Sequence, residues 1–333
     1  MEDFGDLNLV GQSPAFLYTL ELTKKFSRCD ATVVIQGETG TGKELVARAI
    51  HYLGARREFP FIPVNCGALP DTLVESELFG HARGAFTDAR EARRGLVAEA
   101  QGGTLFLDEI EVLSPKGQVA VLRFLQDHEY RPVGGTVVRD ADIRIIAASN
   151  ASLDELAKEN RFRKDLLFRL NVLSVSLPPL RERVGDVVVL AERFLRRLER
   201  QYCRSPRSIA PEAVSRLMGY DWPGNVRELE NLIHREFLLT DEAVLHLRCL
   251  DPRAGTDSTQ ADSSRLTELS FRKAKATAIA RFERAYITEL LSRTRGNISL
   301  AARMSGKERS RLGKLVKKYG LERASFSRAP EPA

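Results

Sequence analysis

The amino-acid sequence predicts an α/β fold, a parallel sheet covered by helices, followed by a small all-helical basic domain. Three observations predict it. Up to Leu250, short apolar runs alternate with amphipathic stretches, the pattern of strands joined through helices. One of these runs passes directly into a glycine-rich loop and then into a helix. The third observation is that positive charge collects towards the C-terminal end.

The first strand is Thr32 to Gln36 (TVVIQ), a buried apolar run. It leads into Gly37, Glu38, Thr39, Gly40, Thr41, Gly42 and Lys43, and then into a helix with Leu45, Val46, Ala49, Ile50 and Leu53 on one face. Strand, glycine loop and helix in that order form the context a Walker A loop requires. Such a loop turns its backbone N–H groups inward around the β- and γ-phosphates of ATP, and the helix N-terminus and Lys43 add positive field. A glycine-rich turn with no ligand is the plain alternative. Glu44 stands where the general pattern has Ser or Thr for Mg2+, so the metal must be held from elsewhere, including through water.

A second apolar strand, GGTLFLDE, ends in Asp108 and Glu109. Phosphoryl transfer asks the protein mainly to position groups and stabilise charge, so Asp108 for the metal and Glu109 for the attacking water is a coherent division. The alternative is an acidic strand end at a solvated turn. A third strand, Ile143 to Ala148, ends in Ser149 and Asn150, where Asn150 could sense the γ-phosphate; Ser-Asn also commonly starts a loop.

Bulk composition bounds the rest. The apolar fraction of 43% and charged fraction of 29% are those of an ordinary soluble globular chain. No apolar run approaches the roughly 20 residues of a membrane span, and the acidic opening Met1 to Asp6 is no signal peptide. A cytoplasmic protein with no membrane partner is therefore expected. Cys29, Cys66, Cys203 and Cys249 form no metal-ligand spacing and read as reduced buried thiols. From Arg265 to Arg328 there are 17 Lys and Arg against 5 Asp and Glu, while the rest of the chain carries 34 against 40. That asymmetry suggests a nucleic-acid-binding tail, with a solvated basic helix as the alternative. Asp251 to Ser264 (DPRAGTDSTQADSS) has a linker's composition.

Six motifs in order carry a resemblance: GETGTGKE, ESELFGHARGAFTDA, GGTLFLDEI, FRKDLLFRLNV, LPPLRER and WPGNVRELEN. Residues from about 7 to 240 resemble the AAA+ domain of bacterial enhancer-binding proteins, which activate RNA polymerase carrying sigma-54. The resemblance implies an α/β ATPase subdomain (1–180), an α-helical lid (181–250), the linker (251–264) and a C-terminal domain (265–333). It implies that Lys43, Asp108 and Glu109 are the phosphate lysine, magnesium carboxylate and catalytic glutamate. Asn65 matches the asparagine that restrains that glutamate, and Arg227 the sensor II arginine. Arg163 and Arg169 match arginine fingers reaching into a neighbouring protomer of a homo-oligomeric, hexameric ring; as plain residues they read as surface arginines. Gly84, Ala85, Phe86, Thr87, Asp88 and Ala89 match the loop that contacts sigma-54, with Phe86 at its tip and Asp88 where the family carries glycine.

GNISLAARMSGKERSRLGKLVKKYGL resembles the Fis-type helix-turn-helix. An apolar helix from Arg272 to Leu291 precedes it, Asn297 is expected as the N-cap of Ile298 to Met304, and Gly306 turns the chain. The second helix would enter the major groove of upstream enhancer DNA, with Lys307, Arg309, Ser310, Arg311, Lys314, Lys317 and Lys318 near bases or phosphates. Lys307 at a commonly apolar turn position, and Gly313 inside the helix, depart from the usual pattern. With about six residues ahead of the match, no sensory domain is expected, and control falls to an inhibitor or co-activator in trans or to expression. The resulting expectation is an ATP-driven activator of sigma-54 promoters, the alternative being a DNA-binding AAA+ regulator that no longer drives sigma-54.

Overall fold

The computed structural model describes residue 4, residues 7–86, 89 and 91–247, and residues 287, 290, 291, 294, 297–305, 309, 312 and 316. The chain divides into two units, Met1–Pro252 and Arg253–Ala333. In the first, β1 (Val33–Gln36), β2 (Phe61–Asn65), β3 (Thr104–Asp108), β4 (Arg144–Ser149) and β5 (Leu173–Ser176) form one sheet in the order β2-β3-β4-β1-β5. Every pairing is parallel. The strands expected from Thr32 and Ile143 each begin one residue later than the apolar run suggests.

Side chains alternate across a strand, so a sheet covered on both sides must be apolar on both. Val33, Ile35, Phe106, Ile146 and Ala148 face one core, shared with α1 (Pro14–Phe26) and α2 (Lys43–Tyr52). Val34, Leu105, Leu107, Ile145 and Ala147 face the other. That second core takes in α3 (Val74–Phe79), α4 (Pro115–Asp127), α5 (Leu153–Lys158) and α6 (Lys164–Leu170). Local chemistry starts the helices where they start: Pro14 and Pro115 occupy first-turn positions, and Ser114 and Ser152 accept hydrogen bonds from the N–H groups of Gly117 and Glu155. Parallel strands carry their C-terminal ends to one edge, where ligands of such sheets bind. The glycine loop, Asn65, Asp108 and Asn150 follow or close β1, β2, β3 and β4 at that edge, with Asn65 in register with Asp108 and Gln36 with Ser149.

A third core belongs to α7 (Asp186–Tyr202), α8 (Pro211–Gly219) and α9 (Asn225–Leu239). Trp222 is buried at its centre, and its indole N–H donates to the Leu217 carbonyl at 2.9 Å, which satisfies the one polar atom of the ring. In the second unit, Ile287, Leu290, Leu291, Ile298, Ala301, Ala302, Leu312 and Val316 pack together. There α10 (Ile298–Met304) is capped by Asn297, whose Oδ1 accepts the Leu300 N–H at 3.2 Å.

The cysteine expectation needs correction. Cys66 is buried, and burial pushes its thiol up to about 12. Cys29 and Cys203 are exposed, because both follow the ends of surface helices; Cys203 closes α7 in a left-handed conformation. Among the described residues no helix is long and apolar enough to cross a membrane. The linker, Cys249, Thr87 and Asp88, and Lys307, Ser310, Arg311, Lys314, Lys317 and Lys318 lie outside the described residues, as does most of the helix expected from Arg272.

Candidate functional site

The glycine loop closes on Lys43, the first residue of α2. Lys43 is buried as a residue, and its ammonium donates to the carbonyls of Gly37 (2.7 Å) and Glu38 (3.1 Å) and to Asn150 Oδ1 (2.6 Å). Burial pushes the Lys43 pKa down, opposed by the carboxylates of Asp108, Glu111 and Glu109. Thr39 Oγ1 also reaches Asn150 Oδ1 at 3.2 Å, and Thr41 Oγ1 donates to the Glu38 carbonyl at 2.8 Å. Glu44 follows Lys43 in α2, but its carboxylate is bonded to Arg48 one turn on, at 2.7 and 2.9 Å.

Asp108 ends β3, and burial raises its pKa while the Lys43 ammonium draws it back. Glu109 follows in a left-handed conformation (φ 55°, ψ 44°), uncommon for a residue with a side chain and of a kind that concentrates at functional sites. Asn150 Nδ2 donates to Glu109 Oε1 at 3.5 Å, so one amide joins Lys43 to the second carboxylate. Asn65 Oδ1 accepts the N–H groups of Gly67 (2.8 Å) and Ala68 (3.2 Å). The Glu109 and Asn65 side chains share the space over Gly67: a Cβ there would lie 2.9 Å from Glu109 Oε2 and 3.2 Å from Asn65 Oδ1. The hydrogen bond to Glu109 comes from Asn150, not from Asn65.

The helical subdomain closes the site from above. Its Arg227 lines a cavity of about 280 Å³ with Lys43, Asp108, Glu109 and Asn150, and the Arg227 N–H donates to the Gly40 carbonyl at 3.3 Å. Gly40 has φ 80°, and a Cβ there would overlap the Gly224 carbonyl oxygen, so this approach requires glycine. A wider cavity of about 670 Å³, between Asn8 and Val10 on one side and α7 and α9 on the other, shares Leu45, Val226 and Glu230 with the first.

Three contributors escaped the sequence reading. Arg181 makes a two-pronged ion pair with Glu38 at 2.8 and 2.6 Å, and buried Asn225 donates to Glu38 Oε2 (3.0 Å) and the Thr39 carbonyl (3.1 Å). Together they hold the Glu38 carboxyl at about 2, the Arg181 hydrogen bond being the larger cause. Both sit in motifs that were visible, but nothing in a one-dimensional pattern pairs them with a residue 143 or 187 positions away. The third is Glu111, whose Oε1 accepts the Asn150 N–H at 2.9 Å.

The arginines expected to act between protomers are elsewhere. Arg163 precedes α6, exposed and ion-paired with Asp165 at 2.7 Å, and Arg169 donates to the carbonyls of Leu125 (3.0 Å) and Gln126 (3.3 Å). Neither lines the cavity around Lys43. In the loop after Gly80–His81, Gly84 (φ 77°) donates to the Ala89 carbonyl and Ala89 to that of Phe86, at 2.8 and 2.9 Å. Ala85 packs against Gly134, and the Phe86 ring, 38% exposed, leans on His81 with centroids 4.9 Å apart. Arg309 is exposed.

Sheet order, glycine loop, paired carboxylates and helical lid define a P-loop fold of the AAA+ type. Residues 9–176 match the family described as the sigma-54 interaction domain, 181–267 the AAA+ ATPase lid domain, and 278–319 the bacterial regulatory proteins of the Fis family. The chain therefore belongs to the sigma-54 activator family, with the Fis-type helix-turn-helix at its C-terminal end. It is 41% identical to the nitrogen fixation protein AnfA of Azotobacter vinelandii over 98% of this chain and 60% of that protein. It is also 41% identical to the regulatory protein AtoC of Escherichia coli K12, over 95% and 68% respectively. The chain thus spans about 60% of the length of AnfA. Among solved structures, NtrX from Brucella abortus in complex with ATP superposes with a TM-score of 0.69 at 33% identity, covering 94% of this chain and 69% of that one.

Proposed function

We propose that the chain binds and hydrolyses ATP and, bound to upstream DNA through its C-terminal helix-turn-helix, uses that hydrolysis in a ring to open promoter complexes of RNA polymerase carrying sigma-54. The observation that carries this reading is the convergence of Lys43, Asn150, Asp108 and Glu109 beneath Arg227, in a chain of the sigma-54 activator family. The smaller cavity suits the phosphates and the larger one has room for the base and ribose. The oxygen donors fit Mg2+, which characteristically takes one or two carboxylates and completes its shell with phosphate and water. Asp108 would hold it, Glu44 being turned to Arg48. When bound there, the metal would supply charge neutralisation on the phosphates during transfer.

The chain's own groups do the rest. Lys43 and the loop N–H groups bind the phosphates, Arg227 compensates charge from the lid, and Glu109, held by Asn150, takes the proton of the attacking water. Arg163 and Arg169 act on the γ-phosphate in the neighbouring protomer, a reading supported by their absence from the lining of the cavity in their own chain. The exposed Phe86 presents the apolar contact to sigma-54. Asp88, where the family has glycine, favours a second reading: a DNA-binding regulator whose motor no longer engages sigma-54.

The deciding measurement is open-complex formation at a sigma-54 promoter with ATP, for the native chain, Phe86→Ala and Asp88→Gly. Activity in the native chain that is abolished by Phe86→Ala and kept or raised by Asp88→Gly is the expected result. Activity in Asp88→Gly alone supports the second reading, and full activity in Phe86→Ala sinks the assignment of the loop.

A further inference from the structure

Asp108 and Glu109 have assigned work in the reading above, yet a third carboxylate stands in the same site. Glu111 lies in the short 3-10 turn Ile110–Val112 that follows Glu109. Its Oε1 accepts the backbone N–H of Asn150 at 2.9 Å, across 39 residues of chain, at the point where β4 ends and its chain must turn. The other oxygen, Oε2, is buried and has no hydrogen-bond partner. A buried carboxyl oxygen left without a hydrogen-bond partner is costly, and a turn at the edge of the site has every opportunity to avoid it. The neighbouring Lys43 ammonium, which Glu111 attracts, offsets part of that cost.

What the Glu111 bond secures is the least redundant residue of the site. The Asn150 side chain touches Thr39, Lys43 and Glu109 at 3.2, 2.6 and 3.5 Å. Its orientation depends on where the Asn150 backbone sits. Ser149 Oγ bonds only to Ala151, two residues on, so the contact that ties the Asn150 backbone to the carboxylate turn is the one from Glu111. A shift of one ångström at such a residue costs on the order of 10²-fold in rate.

We propose that Glu111 is a positioning residue for ATP hydrolysis. Its carboxylate fixes the Asn150 backbone and thereby sets the amide that links the phosphate lysine to Glu109. The inference rests on the ATPase reading above and deepens it.

The test compares steady-state ATPase activity of the full chain, affinity for a fluorescent ATP analogue, and thermal stability, in native protein, Glu111→Ala and Glu111→Gln. Glutamine keeps an oxygen that can accept the Asn150 N–H and loses the charge. Glu111→Ala is expected to lose about tenfold or more in kcat with affinity within about twofold, and Glu111→Gln to keep most of kcat. Native kcat in Glu111→Ala overturns the proposal and leaves the ATPase reading standing. Equal losses of kcat in the two variants overturn it in favour of a charge effect, and parallel losses of kcat, affinity and stability in favour of a purely structural role. If Glu111→Ala fails to fold, Glu111→Leu, which fills the space but offers no acceptor, is set against Glu111→Gln: a loss of kcat of about tenfold or more in the leucine variant alone upholds the proposal, and equal kcat in the two refutes it. A native chain that binds the analogue but never hydrolyses ATP removes the reading itself.

Discussion

At the scale of single residues, the site depends on one amide serving two charged partners. Asn150 accepts from Lys43 and donates to Glu109, so a single amide connects the lysine and the second carboxylate. Glu109 is held in left-handed backbone, a conformation that costs of order 1–3 kcal/mol and that only a surrounding structure can maintain. Glu109→Gln retains shape and the Asp108 carboxylate but cannot take a proton. That variant is expected to bind the fluorescent ATP analogue with affinity within about twofold of native while kcat falls by about 10² or more, read by binding and by phosphate release. Near-native turnover would assign the water-activating role to another group. Asn65 makes the opposite point. Its family role was read from a motif, but its Oδ1 caps the turn at Gly67 and Ala68, and only the space over Gly67 brings it beside Glu109.

At the scale of elements, the glycine loop is fastened to the helical lid as well as to its own sheet. Glu38 sits between Arg181 and Asn225, and Asn225 lies two residues before Arg227. A carboxyl held at about 2 contributes stability that is complete above its unfolded value, and loses it as pH falls from there through the folded value. The stability difference between native protein and Arg181→Ala is therefore expected to shrink as pH drops from about 5 to about 3, measured by thermal unfolding. A constant difference would mean that Arg181 acts through packing instead. Much of this layer was legible in sequence. Strand β1, the glycine loop and α2 are contiguous, and continuous apolar runs marked β1, β3 and β4, the starts of β1 and β4 to within one residue, whereas β2 and β5 were not singled out. Asn297 as a cap followed from local chemistry. The clamp was not legible, because Glu38, Arg181 and Asn225 meet only through the tertiary fold, and each alone reads as an ordinary polar residue. The exposed Cys29 and Cys203 were misread for a related reason: helix ends at the surface overrode the apolar habit of the thiol.

At the scale of the whole molecule, the question is why two arginines implied in catalysis lie away from the pocket they would serve. Arg163 is spent on Asp165 and Arg169 on the end of α4, while Arg227 is the arginine over Lys43. An arginine finger contributes about 10³ to 10⁵ in rate, so a pocket lacking one is nearly idle. If the missing group comes from a neighbouring protomer, ATPase rate per protomer must rise steeply with protein concentration, since isolated chains cannot complete the site. Complementation tests the same point without relying on concentration. Lys43→Ala lacks a working pocket but keeps its fingers, and Arg163→Ala keeps its pocket but lacks one finger, so each alone is expected to be nearly inactive. In a mixed heterologous ring, an Arg163→Ala pocket beside a Lys43→Ala protomer has every group it needs, and activity should reappear with a maximum at intermediate mixing ratios. The measurement is phosphate release across a mixing series, with mixed rings verified by differential labelling. No rescue in verified mixed rings would return Arg163 to the role its local contacts describe, an exposed arginine paired with Asp165 at the start of α6.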